Sequence, residues 1–192
     1  MVHEVRNGGD RIREEPHLRL QSEFRDSRVM TGNLDYIHDW FRQRSSLELF
    51  AAYQQTDRKH YTGTYGSNGY GTTANNTFAA GFMVNHTILN FLSGKNLVTA
   101  GADYQYDFVD DRIPAYRYFI YQETFQTGAF LQSDWEISPR WNLVGGIRYT
   151  VHNNTASPLF SPRINLLYRT LRNAQFRLSW ASGFRPPQAF DT

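Results

Sequence analysis

The stretch that decides the fold is Asn96–Phe108, NLVTAGADYQYDF. Val98, Ala100, Ala102, Tyr104, Tyr106 and Phe108 fall on one side; Thr99, Gly101, Asp103, Gln105 and Asp107 fall on the other. A period of two is that of a β-strand. A soluble antiparallel sheet also alternates. Here, however, the apolar side ends in aromatic rings and the polar side carries small and hydrogen-bonding residues throughout. That is how a strand looks when it has lipid outside, an aromatic girdle at the interface and a wet lumen inside. The run also exceeds the ~9–11 residues that a tilted strand needs to cross a bilayer.

Seven more runs repeat the pattern. Upstream are RVMTGNLDYIHDW (28–40), SSLELFAAYQQT (45–56) and TFAAGFMVNH (77–86). Downstream are TFQTGAFLQSDW (124–135), RWNLVGGIRYTV (140–151), SPRINLLYR (161–169) and AQFRLSW (174–180). The connections alternate in length. FRQRSS, ILNFLSGK, EISPR and TLRN are short, whereas DRKHYTGTYGSNGYGTTANN (57–76) and VDDRIPAYRYFI (109–120) are long. Short turns at one end and long loops at the other are the habit of an outer-membrane barrel. The expectation is an all-β, antiparallel, up-and-down segment of about eight strands. The N-terminal stretch to about Gln21 and the final GFRPPQAFDT are expected as external loops.

Composition agrees. Tyr, Phe and Trp number 12, 14 and 4 and make up 16% of the 192 residues, a surplus that favours strands and membrane interfaces. Lys plus Arg is 20 and Asp plus Glu is 18, a net charge of +2, so nothing points to nucleic acid. There is no Cys, hence no disulfide framework and no thiolate metal site. No apolar run approaches the ~18 residues of a membrane helix.

At SPRINLLYR and AQFRLSWASGFRPPQAFD the chain resembles the TonB-dependent outer-membrane receptors. The matching positions are Ser161, Pro162 and Arg163, then Arg177 and Ser179, then Gly183, Phe184, Arg185 and Pro187; Pro186 stands where that family usually has Ala. VTAGADYQYD and TGAFLQSDWEISPRWNLVGGIRYT are similar to its strand–turn–strand pairs. The resemblance spans about residues 20–192. It implies a slice of a 22-stranded barrel domain, an open curved sheet whose remaining strands and plug domain lie outside residues 1–192. It also implies location in the bacterial outer membrane and import of a small-molecule ligand with energy relayed by the TonB system. Cobalamin-like corrinoids and ferric siderophores are the ligand classes implied. Its partners would be outer-membrane lipid, the plug and TonB. Two other readings compete: a complete small eight-stranded membrane barrel, structural or enzymatic, and a soluble lipocalin-like binding barrel.

No catalytic motif is present and no cofactor is expected. The six His residues are scattered singly, without a metal-binding pair. Asp107, Asp110 and Asp111 offer oxygen ligands for calcium, against the plainer reading of a solvated loop beside Arg112. Tyr61, Tyr65 and Tyr70, spaced among glycines, together with Arg112 and Tyr116, are the candidate ligand contacts of the external loops. Gly81, Gly101, Gly128 and Gly146 sit on the expected lumen side, where they leave room for a plug or relieve curvature. Val98, Ala100, Ala102, Tyr104, Leu143, Ile147 and Leu178 are expected to face lipid on the convex side. Asp103, Gln105, Gln132, Arg148 and Arg177 are expected on the concave side.

Overall fold

The computed structural model describes residues 2–7, 21–64, 68–170 and 174–183. They form one antiparallel sheet in strict chain order: β1 (Val2–Asn7), β2 (Gln21–Trp40), β3 (Ser45–Thr64), β4 (Tyr70–Phe91), β5 (Gly94–Ile113), β6 (Tyr118–Glu136), β7 (Trp141–His152), β8 (Leu159–Arg169) and β9 (Gln175–Ala181). A single 3₁₀ turn, Pro114–Tyr116, separates β5 from β6. All eight expected runs lie in β2–β9, each paired with the next.

Register decides the faces. Val98 on β5 stands opposite Ser133 and His86, Ala100 opposite Leu131 and Val84, and Ala102 opposite Ala129 and Phe82. The apolar side of each strand therefore continues into the apolar side of its neighbours. The same parity runs through Leu143–Leu166–Leu178 at the far edge. All seven residues expected to face lipid share this side. Asp103, Gln105, Gln132, Arg148 and Arg177 share the other.

Over the apolar band the outer side has no cover among the described residues. Leu34 is 71% exposed and Leu178 is 73% exposed, and among the described residues the only buried apolar side chains are Tyr61 and Val109. A lipocalin-like barrel would have packed these rings and branched chains inside itself, so the soluble alternative fails. A closed small barrel fails too, because among the described residues neither edge of the sheet pairs with the other.

Two aromatic belts bound the apolar wall. Tyr53, Phe78, Tyr106 and Phe125 form one rung across β3–β6. Near the short turns, Phe91 packs edge-on against Trp135 at 5.5 Å and Trp141 packs on Tyr168 at 4.5 Å. On β6 the span Phe125–Trp135 matches the ~9–11 residues of one crossing.

Three expectations need correction. The N-terminal stretch is not all loop: β1 pairs with β2 from Val2↔Met30 to Asn7↔Arg25, so among the described residues Arg25–Met30 have a second partner and Thr31–Trp40 have none. The long connection 57–76 is mostly strand, since β3 reaches Thr64, β4 begins at Tyr70 and their register is unbroken to Tyr61↔Tyr70. Likewise the 109–120 connection shrinks to the 3₁₀ turn and Arg117, whose φ of 52° closes it. Gly and Asn there suggest turns, yet a ladder already begun satisfies backbone groups residue by residue, and the Thr and Tyr residues between suit it. At about 3.3 Å per residue, the 20-residue β5 spans far more than a bilayer. The excess stands above the outer belt.

The lumen-side glycines act as seats for neighbouring side chains. Phe50 lies over Gly81 and Phe130 lies over Gly101; a Cβ would come within 2.8 Å and 2.7 Å of those rings. Gly146 receives Arg163. This is the exchange in which a ring restores the packing that a strand glycine lacks.

Candidate functional site

Above the outer belt, the lumen side of β2–β6 forms a cleft of about 430 Å³ lined by Arg25, Arg58, His60, Thr62, Thr73, Asp111, Ile113, Tyr116 and Tyr118. Its volume lies in the range of small-ligand pockets. Two adjacent rungs build it. One runs Ser27–Arg58–Thr73–Asp111, the other Arg25–His60–Gly71 on β2–β4, continued on β5–β6 by Ile113–Tyr118. The strands thus bring together residues up to some ninety positions apart in sequence.

Local chemistry holds each wall. Thr73 Oγ1 donates to Asp111 at 2.8 Å, fixing that carboxylate. Arg58 Nε donates to Ser27 Oγ at 3.2 Å, and Arg58 lines the cleft. Arg25 is paired with Glu23 at 2.5 Å at the exposed margin. His60 lies flat over Gly71, where any Cβ would overlap the imidazole. Its Nδ1 is buried and has no hydrogen-bond partner. Tyr116 donates its hydroxyl to the Thr62 carbonyl at 2.9 Å, an approach that Gly69 permits. The cleft offers the Arg25 and Arg58 guanidiniums, the His60 imidazole and the Tyr118 phenol beside the Asp111 carboxylate, while the Tyr116 hydroxyl already donates to Thr62. These donors suit an anionic, oxygen-rich ligand.

Of the contacts expected from sequence, Tyr116 lines this cleft. Tyr61 is fully buried with its ring 4.8 Å from Tyr70, and both lie on the outer side of their strands. Tyr65 lies outside the described residues, as do Phe184, Arg185 and Pro187. Arg112 points to the outer side and grips Asp110 with two hydrogen bonds of 2.6 and 2.5 Å; that carboxylate holds the guanidinium protonated, raising its pKa further. The three aspartates do not converge. Asp107 accepts from Thr77 at 2.6 Å and from Asn75 at 3.2 Å on the lumen side, Asp111 faces the cleft, and Asp110 faces outward. Among the described residues no group of three or more acidic or His side chains is arranged to hold a metal. Arg25, Arg58, His60 and Tyr118 were not singled out in the sequence. Carrying the parity of Gln54 and Thr56 onward finds Arg58 and His60, the two on β3, and Thr62 after them.

Residues 5–192 match the family described as TonB dependent receptor-like, beta-barrel. The chain belongs to that family, whose members are outer-membrane transporters of ligands and not enzymes. No curated protein matches the sequence significantly. No described helix is long and apolar enough to cross a membrane.

Proposed function

We propose that this chain is part of the wall of an active importer, and that the lumen-side cleft makes first contact with its ligand. The observation that carries this reading is the position of Arg58, His60, Tyr116 and Tyr118: above the apolar band, on the polar side of the sheet, in a receptor family of the outer membrane. A scarce ligand captured there enters the barrel from outside the cell. The remaining strands and a plug domain complete the site, and the TonB system supplies the energy for release inward. The donor set favours a ligand rich in anionic oxygen, which a ferric siderophore presents on its surface; a corrinoid offers fewer such groups. Tyr61 and Tyr70 then brace the rim, and Tyr116 touches ligand.

The test is uptake by cells whose only such receptor is the one carrying this chain. The probes are radio-iron bound to a catecholate or to a hydroxamate siderophore, and cyanocobalamin. One of them should be imported only in TonB-competent cells. Arg58→Gln with His60→Ala should weaken its binding by about tenfold, roughly 1.4 kcal/mol. Binding of every probe that is indifferent to both substitutions would reject the cleft as the ligand site.

A further inference from the structure

In the lumen-side cleft the fixed charges balance, and one titratable ring decides the sign. Among the described residues the charges are Arg25 and Arg58 against Glu23 and Asp111. β2 supplies Arg25, with Glu23 paired to it at the margin. β3 supplies Arg58, bonded to Ser27. β4 supplies Gly71 and Thr73, which carry no charge. β5 supplies Asp111, held by Thr73. The β5–β6 turn and β6 add phenols, Tyr116 and Tyr118.

His60 stands among these groups. On its rung it is the direct partner of Arg25 on β2 and of Gly71 on β4. Arg58 is two residues back on the same strand and therefore on the same side. Cross-strand partners have Cβ atoms ~4.5–5.5 Å apart, so a charge on the imidazole acts on whatever the two guanidiniums hold. The ring lies over Gly71, where a Cβ would overlap it, and no β4 side chain stands between them. Its Nδ1 has no hydrogen-bond partner, so no carboxylate or carbonyl at that nitrogen ties the ring to one protonation state. Imidazole is the side chain that changes charge between about pH 5 and 8. A proton on His60 takes the cleft from no net charge to one positive charge.

We infer that the proton on His60 regulates capture of an anionic ligand at this cleft, an inference that rests on the cleft being the ligand site. An anion held beside Arg25, Arg58 and His60 favours the charged imidazole, and the charged imidazole favours the anion; the coupling is reciprocal. Binding therefore takes up a proton. A bound anion strengthens the ring's hold on that proton, so capture is strongest on the acid side and weakens as pH rises through the imidazole range. Arg25 and Arg58 attract the anion throughout this range, and His60 makes the attraction depend on the medium outside the cell.

The whole receptor carrying this chain, in mild detergent, is the material for the test. The probe is whichever of a ferric catecholate and a ferric hydroxamate siderophore it binds. Between about pH 8 and about pH 6 the unaltered receptor should gain about fivefold in affinity, roughly 1 kcal/mol. His60→Gln should lose that gain and bind at both values as the unaltered receptor binds at the higher one. His60→Lys, which keeps a charge throughout, should bind at both as the unaltered receptor binds at the lower one. Calorimetry near neutral pH, in two buffers of different ionisation enthalpy, should show net proton uptake when the unaltered receptor binds the probe, an arm that needs no variant. Arg58→Gln should weaken binding at both pH values. If it does, while His60→Gln keeps the full pH dependence, the inference is overturned and the cleft remains the ligand site. Binding indifferent to both substitutions overturns the cleft reading and this inference together, as does failure of both siderophores to bind. Binding by the unaltered receptor without proton uptake overturns the inference alone.

Discussion

Arg148 on β7 and Asp103 on β5 are joined by two parallel hydrogen bonds of 2.8 Å that pass over the strand between them. The residue they cross is Gly128, and a Cβ there would overlap the guanidinium. A three-strand clamp thus exists because the middle strand has no side chain at one position. Gly128→Leu should break the clamp and lower stability by about 1–3 kcal/mol. The pair itself is partly exposed on the lumen side, so its coupling should be smaller, about 0.5–1 kcal/mol. A double-mutant cycle on Asp103→Asn and Arg148→Gln, read from urea midpoints in lipid vesicles, measures it. Strict additivity of the two substitutions would show that the clamp contributes nothing.

Gly101 and Phe130 make a second test of the same device, this time with an aromatic ring. They are direct partners across β5 and β6, and the ring lies where a Cβ would go. Gly101→Val should displace the ring and cost about 1–3 kcal/mol. Phe130→Ala in the same chain should recover part of that loss, because the clash with the ring is then gone while that with the Phe82 carbonyl oxygen, 2.4 Å from the added Cβ, remains. If the second substitution instead worsens the first, the ring and the glycine are not a matched pair.

Neighbouring positions on one strand should respond oppositely to charge. Leu131 faces lipid, 53% exposed in the bare sheet, and Gln132 faces the lumen. Leu131→Arg lies near the middle of the band and should cost about 2–4 kcal/mol, whereas a lumen-side Arg stays hydrated. Gln132→Lys should therefore shift the vesicle unfolding midpoint little, beyond the loss of its contact with Arg163. Similar costs at both positions would mean that the two sides are not lipid and water.

How much of this was legible in the sequence depends on which force set each feature. Partition between lipid and water fixes the parity of every strand, so NLVTAGADYQYDF alone predicted the faces that register later placed. The reach of the strands was not legible. Above the bilayer no partition signal remains, and residues such as Thr72, Asn75 and Gly71 look like a loop until the unbroken ladder from β3 to β4 is seen. The cleft was missed for the same reason. Arg58 and His60 become neighbours of Asp111 and Tyr118 only through cross-strand registers, which the chain does not spell out. The glycines were noticed, but what occupies the space above them depends on the rotamer of a residue on another strand. Arg112 and Asp110 were read as one loop cluster with Asp107 and Asp111, and alternation splits them between the two sides.

The edge of the sheet yields the last prediction. On β2 the ladder to β1 ends at Met30↔Val2, while the ladder to β3 continues to Trp40↔Ser45. From Thr31 to Trp40 the outer edge of β2 therefore has no partner among the described residues. A row of backbone groups open to hydrocarbon is not tolerated within a membrane, since each unsatisfied group there costs several kcal/mol. The edge also lacks the usual protections: between Thr31 and Trp40 there is no Pro and no Lys. In the whole receptor a further strand should pair here. Hydrogen exchange can read this directly. In the receptor carrying this chain, the alternate amides of Thr31–Trp40 that point away from β3 should be as protected as those of β4. In the chain expressed alone and held in detergent, those same amides should exchange on the timescale of free backbone, and the material should self-associate through that edge. Equal protection in both preparations, with the isolated chain monomeric, would mean that the edge closes without further strands, and the open-wall reading would have to be abandoned.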